Sequence, residues 1–221
     1  YVDPIQLRPS LETKLIKGLY HAGQVNGTSG YEEAAGQGLV AGINATRQIQ
    51  GREPVVIGRE QGYLGVLIDD LVNLGAKEPY RMFTSRAEYR LLLREDNADQ
   101  RLSPLGYEVG LLPEERWLRF SAKLVSLEEG RERLRITRIS PGNQEAIKRL
   151  GLPDLKNGAS LEELLRRPEL RLADLDFLDP WLTERSSEVR NELETEVKYA
   201  GYIRRQHEQV ERFRRLEDLA I

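Results

Sequence analysis

Five arginines set among aromatic residues hold the most explicit chemistry in this sequence. Between Lys77 and Leu102 stand Arg81, Arg86, Arg90, Arg94 and Arg101, interleaved with Tyr80, Phe83 and Tyr89. Guanidinium groups hold phosphates, and aromatic rings stack on unpaired bases. The same window holds Glu88, Glu95, Asp96 and Asp99, enough carboxylates to pair four arginines internally. Residue types alone leave RNA contact and an internal arginine–carboxylate network both open. A second cationic group lies near the C-terminus. Lys198, Tyr199, Tyr202, Arg204 and Arg205 fall within two helical turns and fit a phosphate-binding patch. Adjacent Asp69 and Asp70 could serve acid/base or metal chemistry, but neighbouring helix positions face different ways, so a solvated pair or a polar contact is the better fit.

Residues 18–45 suit a different chemistry. Gly18, Leu19, Tyr20 and Ala22 read as a short strand, Gly23, Gly27 and Gly30 as a loop, and Tyr31 onward as a helix. Ser29 followed by Glu32 predicts a capping box at the helix start. Gly36, Gly38 and Gly42 each cost about 1 kcal/mol inside a helix. A helix that tolerates them is expected to lie close to another backbone or to a ligand. The free N–H groups at its start form a positive, donor-rich end suited to an anion or a carbonyl. Tight helix-on-sheet packing without any ligand explains the same glycines. His21, inside the short strand, reads as a tolerated strand residue.

The elements around these groups are mostly helical. Leu64, Leu67, Ile68, Leu71 and Leu74 predict a helix over 61–74 that Gly75 ends. Tyr80–Thr84 alternates like a strand, Val55–Ile57 is a short apolar run, and Leu91–Leu93 suggests an irregular hairpin. Glycine thins out after about residue 102, which places a domain boundary there. Pro104–Gly110 reads as a short helical turn. A helix from Pro113 presents Trp117, Phe120, Leu124, Leu127 and Leu134, with a possible break at Gly130. Short helices follow at 143–150 and 160–167, the second with a capping box from Ser160 to Glu163. Glu184–Asp218 reads as one long helix whose apolar seam includes His207, a core or interface histidine.

The totals exclude several classes. The 221 residues carry a net charge of −3, so any nucleic-acid site is a local patch. No cysteine is present, which excludes disulfides, thiolate metal sites and a cysteine nucleophile within this chain, and two histidines leave little for a histidine metal centre. No apolar run approaches the ~20 residues of a membrane span, and a cytoplasmic location is expected.

Three runs, 18–45, 77–102 and 198–206, closely resemble the glucose-inhibited division protein A family, the tRNA uridine 5-carboxymethylaminomethyl modification enzymes. The motif Leu7-x-Pro-x-Leu-Glu-Thr-Lys14 strengthens the likeness. The resemblance implies a mainly α fold with a small α/β part: the C-terminal piece of a Rossmann-like FAD-binding domain (1–102), then an all-helical tRNA- and partner-binding domain (103–221). It implies that Gln24 and Gly23, then Val25, Asn26, Gly30 and Glu32, face FAD. It implies RNA contacts from Arg81, Arg86, Arg90, Arg94, Lys198, Tyr202, Arg204 and Arg205. It further implies NADH and methylenetetrahydrofolate as co-substrates, a GTPase partner and a homodimer. The chain opens Tyr-Val-Asp-Pro and its single methionine is Met82, so it reads as a fragment; the resemblance implies that the family's catalytic cysteines lie upstream and its last residues beyond Ile221. No catalytic residue and no metal site is expected here. A folate-dependent tRNA uridine methyltransferase and a non-catalytic RNA-binding scaffold are the rival functions.

Overall fold

The computed structural model describes residues 1–153 and 155–217. It is mainly helical and falls into two compact units, Tyr1–Val109 and Gly110–Ile221. The division lies after residue 102 because α3 (Ala98–Glu108) runs across that position, with Pro104 inside it.

In the first unit, α1 (Tyr31–Ile49) packs on α2 (Tyr63–Leu74). Leu7, Leu11, Val40, Ala41, Ile68 and Val72 form the shared core. As the periodicity predicts, α2 ends at Gly75, whose N–H returns to Leu71 O. The predicted strands do not form. Leu7 and Thr13, Glu12 and Tyr20, and Thr28 and Tyr80 meet only as isolated bridges. Residues 4–20 fold back too tightly for a ladder: the buried Leu11 adopts a left-handed φ of 66° and Glu12 pairs across to Tyr20. Val55–Ile57 has no strand partner either, and no Rossmann-type sheet is present among the described residues.

In the second unit, α4 (Glu114–Ile136) and α7 (Ser187–Glu217) cross, with α5 (Gln144–Arg149) and α6 (Leu161–Leu165) beside them. A two-residue antiparallel ladder joins β1 (Arg138–Ile139) to β2 (Ala159–Ser160). Leu127, Leu134, Leu161, Leu164, Leu165 and Leu193 lie at the centre of a leucine-rich core. Gly130 does not break α4. It is the crossing point, where a Cβ would come within 2.4 Å of Leu193 Cδ1. The capping box of α6 forms as predicted: Glu163 N donates to Ser160 Oγ at 3.1 Å and Ser160 N to Glu163 Oε2 at 2.7 Å. Residues 180–184 form a 3₁₀ turn capped by Asp179, so the long helix starts at Ser187. Arg133 grips the buried Asp179 carboxylate through two bonds of 2.8 Å and holds it below the usual carboxylate range. The predicted end of α7 at Asp218 lies outside the described residues. Val189 and Leu193 are buried, but His207 is exposed and is not a core histidine.

Among the described residues no helix is long and apolar enough to cross a membrane.

Candidate functional site

The glycine-punctuated loop is held from below by one side chain of α1. Gln37 is fully buried. Its Oε1 accepts from Gly23 N at 3.1 Å and from Asn26 Nδ2 at 2.8 Å. Its Nε2 donates to Thr28 Oγ1 at 3.1 Å and to Glu33 O at 3.2 Å. One amide thus fixes both ends of the 3₁₀ turn Gly23–Asn26, which Gly23 and Gly27 flank in left-handed conformations. Two turns on, buried Asn44 does the same for another segment, bonding Ser10 O and both polar groups of the Val55 backbone. Sequence reading missed both amides. The signal was there: Gln37 and Asn44 stand seven residues apart on the row that also buries Val40 and Ala41.

Gln37→Leu keeps the volume and removes every one of these bonds. A buried polar group left without a partner costs about 1–3 kcal/mol, so the loop should lose roughly 3 kcal/mol. Thermal unfolding should shift down by about 6–12 °C, with faster proteolysis near Gly27. An unchanged midpoint removes the hub role.

The helix start differs from the predicted capping box by one residue. Gly30, not Ser29, is the N-cap of α1. Ser29 is taken by Tyr80, whose carbonyl accepts from Ser29 N at 3.0 Å and from Ser29 Oγ at 3.3 Å. Glu33 then occupies the third helical position, folds over Gly30, and accepts from Met82 N at 2.9 Å. The three helix glycines, expected to lie close to another backbone or a ligand, also divide in three dimensions. A Cβ at Gly36 would come within 2.8 Å of Leu64, whereas Gly38 and Gly42 face open space.

The residues proposed to face a cofactor do not converge. Gly23 and Asn26 are buried in the Gln37 network, and Asn26 Oδ1 has no partner among the described residues. Gln24 lines a cleft of about 780 Å³ with Thr28, Ser29, Tyr1, Asp3 and Lys77. Glu32 lines a separate cleft of about 410 Å³ with Tyr63, Leu64, Leu67, Arg81 and Met82. Val25 is exposed and Gly30 half-buried.

The arginine-rich stretch is a pinned loop rather than a strand and hairpin. Tyr80 N donates to Gly27 O at 2.7 Å, and the Tyr80 hydroxyl donates to Asp70 Oδ2 at 2.7 Å. Burial first, then Asp70, pushes that phenol well above its ordinary range. The anchor of the loop is Arg59, which sequence reading also missed. Its guanidinium donates to both Glu88 oxygens at 2.7 and 2.9 Å, to Asp69 at 2.9 Å, to Asp70 at 2.7 Å, and to Arg86 O at 3.2 Å. Asp69 and Asp70 do point differently, one exposed and one buried, but a planar fork reaches both.

The two alternatives for the five arginines divide between them. Arg86 lies over the Tyr80 ring at 4.4 Å and donates to Arg81 O. Arg94 pairs with Asp96 at 2.8 Å. Arg101 donates to Gln61 O, Arg94 O and Asn97, and burial lowers its pKa. Arg81 and Arg90 are exposed and have no side-chain partner among the described residues, and Phe83 beside them is 55% exposed. In the C-terminal patch, Lys198 donates to Arg167 O and Leu170 O at 3.0 and 2.6 Å. Its ammonium caps a turn, and the outward group is Tyr202 with Arg205 stacked on it at 4.7 Å, Tyr199 at 6.4 Å, and exposed Arg204.

Comparison with known proteins covers the whole chain. A family model described as "Glucose inhibited division protein A" matches residues 1–53, and one described as "tRNA modifying enzyme MnmG/GidA C-terminal helical domain" matches residues 114–207. A relative from Syntrophotalea carbinolica, called tRNA uridine 5-carboxymethylaminomethyl modification enzyme MnmG, is 62% identical over all 221 residues. The chain belongs to the glucose inhibited division protein A family. It corresponds to the C-terminal portion of that family. A Listeria welshimeri relative with the same name is 53% identical, again over 100% of the chain. The chain spans 36% and 35% of these two relatives. The Aquifex aeolicus GidA crystal structure (form II) superposes with a TM-score of 0.85 at 41% identity, over 100% of this chain and 34% of that one. Residues 54–113, which neither family model matches, contain Arg59 and the pinned loop. The superposition on the GidA crystal structure covers them.

Proposed function

We propose that this chain is part of an FAD-dependent enzyme that modifies uridine C5 at the wobble position of tRNA. The observation that carries this is the 62% identity, over the whole chain, to a protein named as a tRNA uridine 5-carboxymethylaminomethyl modification enzyme. Two outward cationic-aromatic groups support it, Arg81, Phe83 and Arg90 in the first unit and Tyr202, Arg204 and Arg205 in the second. Guanidinium and ring pairs of this kind suit phosphates and splayed bases of RNA. The proposal includes a GTPase partner, a homodimer, and NADH and methylenetetrahydrofolate as co-substrates.

Of the residues expected to face FAD, Gln24 alone fits one wall of a flavin site, with two neighbours of its loop. Gln24 offers a neutral exposed amide, and Thr28 and Ser29 line the same 780 Å³ cleft. FAD, when bound, supplies redox chemistry between NADH and the one-carbon donor. What this chain contributes is shape: Gln37 fixes the loop and Tyr80 fixes its far end.

The test is nucleoside analysis of tRNA from a strain lacking the gene. Carboxymethylaminomethyl-type wobble uridines should vanish and return with the restored gene. Their persistence overturns the proposal.

A further inference from the structure

We propose that the 410 Å³ cleft between α1 and α2 binds one uracil-type base of the RNA. This rests on the reading of the chain as part of a tRNA uridine-modifying enzyme and goes beyond it by placing the recognised base. The cleft lies at the small end of ligand pockets, which span about 300–1,000 Å³, so it suits a single nucleoside. Its apolar lining is Leu64, Leu67 and Met82, and Tyr63 adds a half-buried ring for stacking. Three charged residues also line it, and two of them, Glu32 and Arg81, are available to a ligand. Both are exposed and neither has a side-chain partner among the described residues. Neighbouring Glu33, by contrast, is buried and committed to Met82 N, which ties the Arg81–Met82 backbone to α1.

This pair of free groups selects a ligand class. A carboxylate beside the guanidinium disfavours a bare phosphate, which the arginine alone would attract. It favours a neutral ring with a donor next to an acceptor. Uracil presents one N–H between two carbonyls. The N3–H would donate to Glu32 and a carbonyl would accept from Arg81, while the ring stacks on Tyr63. Cytosine offers its N4 amino donor in place of the N3–H, so the cytidine arm of the test separates the two pyrimidines. Glu32 thereby moves from the cofactor wall to the substrate side.

The test uses the full-length protein and anticodon stem-loop RNAs that carry uridine, 3-methyluridine or cytidine at the wobble position. Binding is followed by fluorescence anisotropy. The unaltered protein should prefer uridine by about tenfold, the discrimination expected of one well-paired base contact. Glu32→Gln and Arg81→Ala, both at exposed positions, should bring the three affinities to within about twofold. Arg90→Ala should weaken all three equally. If the preference survives both cleft variants, or the unaltered protein accepts 3-methyluridine as well as uridine, the cleft is not the site, even where tRNA from the deletion strain lacks the modification. If that strain keeps the modification, the enzyme reading fails and the cleft proposal with it.

Discussion

Gly65→Ala should unfold or nearly unfold the first unit. Gly65 sits in the first turns of α2, against the segment that carries Arg59. A Cβ there would lie 2.1 Å from Gly58 O and 2.6 Å from Ile57 O. Both are backbone atoms, so no rotamer change relieves the collision. Either α2 shifts away or the 57–58 backbone does. The first option separates α2 from its packing, since Val66, Leu67, Ile68 and Leu71 are all at most 3% exposed. The second displaces Arg59 from three carboxylates. Overpacking a core costs about 1–3 kcal/mol when side chains can adjust. Here they cannot, and a loss of about 4 kcal/mol or more is expected, in the range that marks a named structural failure. Urea unfolding or soluble yield of the full-length protein reads it out. Gly38→Ala is the control, because a Cβ there meets nothing within 4 Å. That substitution should stabilise α1 by up to about 1 kcal/mol. Equal behaviour of the two variants would show that helix propensity, not close approach, governs these glycines.

The helices were legible in the sequence because their cause is local. The 3.6-residue spacing of Leu64, Leu67, Ile68, Leu71 and Leu74, the stop at Gly75, and the Ser160–Glu163 box all act within a few residues. Several misses came from a distant partner. Ser29 is a good cap by type, yet Tyr80, 51 residues away, claims it and moves the cap to Gly30. Tyr80–Thr84 alternates like a strand, but one bridge to Thr28 is all the pairing it finds. Gly130 looks like a helix break and proves to be a crossing point, because Leu193 arrives from another helix. The site shows the same division. The glycine loop and the arginine stretch could be picked out by type and spacing. The spacing of Gln37 marks it as buried, but what it and Arg59 bind depends on contacts across 14 and 29 residues, which local spacing does not identify. Composition also could not tell which arginines face outward. Four carboxylates looked able to absorb four arginines, but Arg59, outside the stretch, takes Glu88, and Arg81 and Arg90 are left free among the described residues.

Arg59→Met should cost stability and RNA affinity together. The substitution keeps most of the side-chain length and deletes five hydrogen bonds. It leaves Asp69, Asp70 and Glu88 near one another without their shared cation. Asp70 is 6% exposed and also accepts from Tyr80, so it cannot swing into water. Stranding a buried charge by removing its partner costs about 3–5 kcal/mol, and the lower figure applies because Asp69 and Glu88 are partly exposed. The pH dependence follows from the sign of the Glu88 shift. Bonding to Arg59 lowers the Glu88 pKa below its ordinary 4.5. Its contribution is therefore fully present above about pH 4.5 and is lost as the pH falls through the lowered value. In Arg59→Met, Glu88 loses the cation that lowers its pKa and takes up its proton sooner. The stability gap between the two proteins should be widest near neutral pH and should narrow below about pH 4.5. Urea titrations at both pH values check this, and a gap that widens in acid would overturn the assignment. RNA binding separates anchor from contact. Arg90→Ala should leave stability unchanged and reduce the salt slope of tRNA binding by about 1. Arg59→Met should weaken tRNA binding through loss of the loop's shape, because Arg59 reaches Glu88 and Arg86 O, at opposite ends of the segment that precedes Arg90. A fully stable Arg59→Met protein with weakened tRNA binding would instead make Arg59 a direct contact.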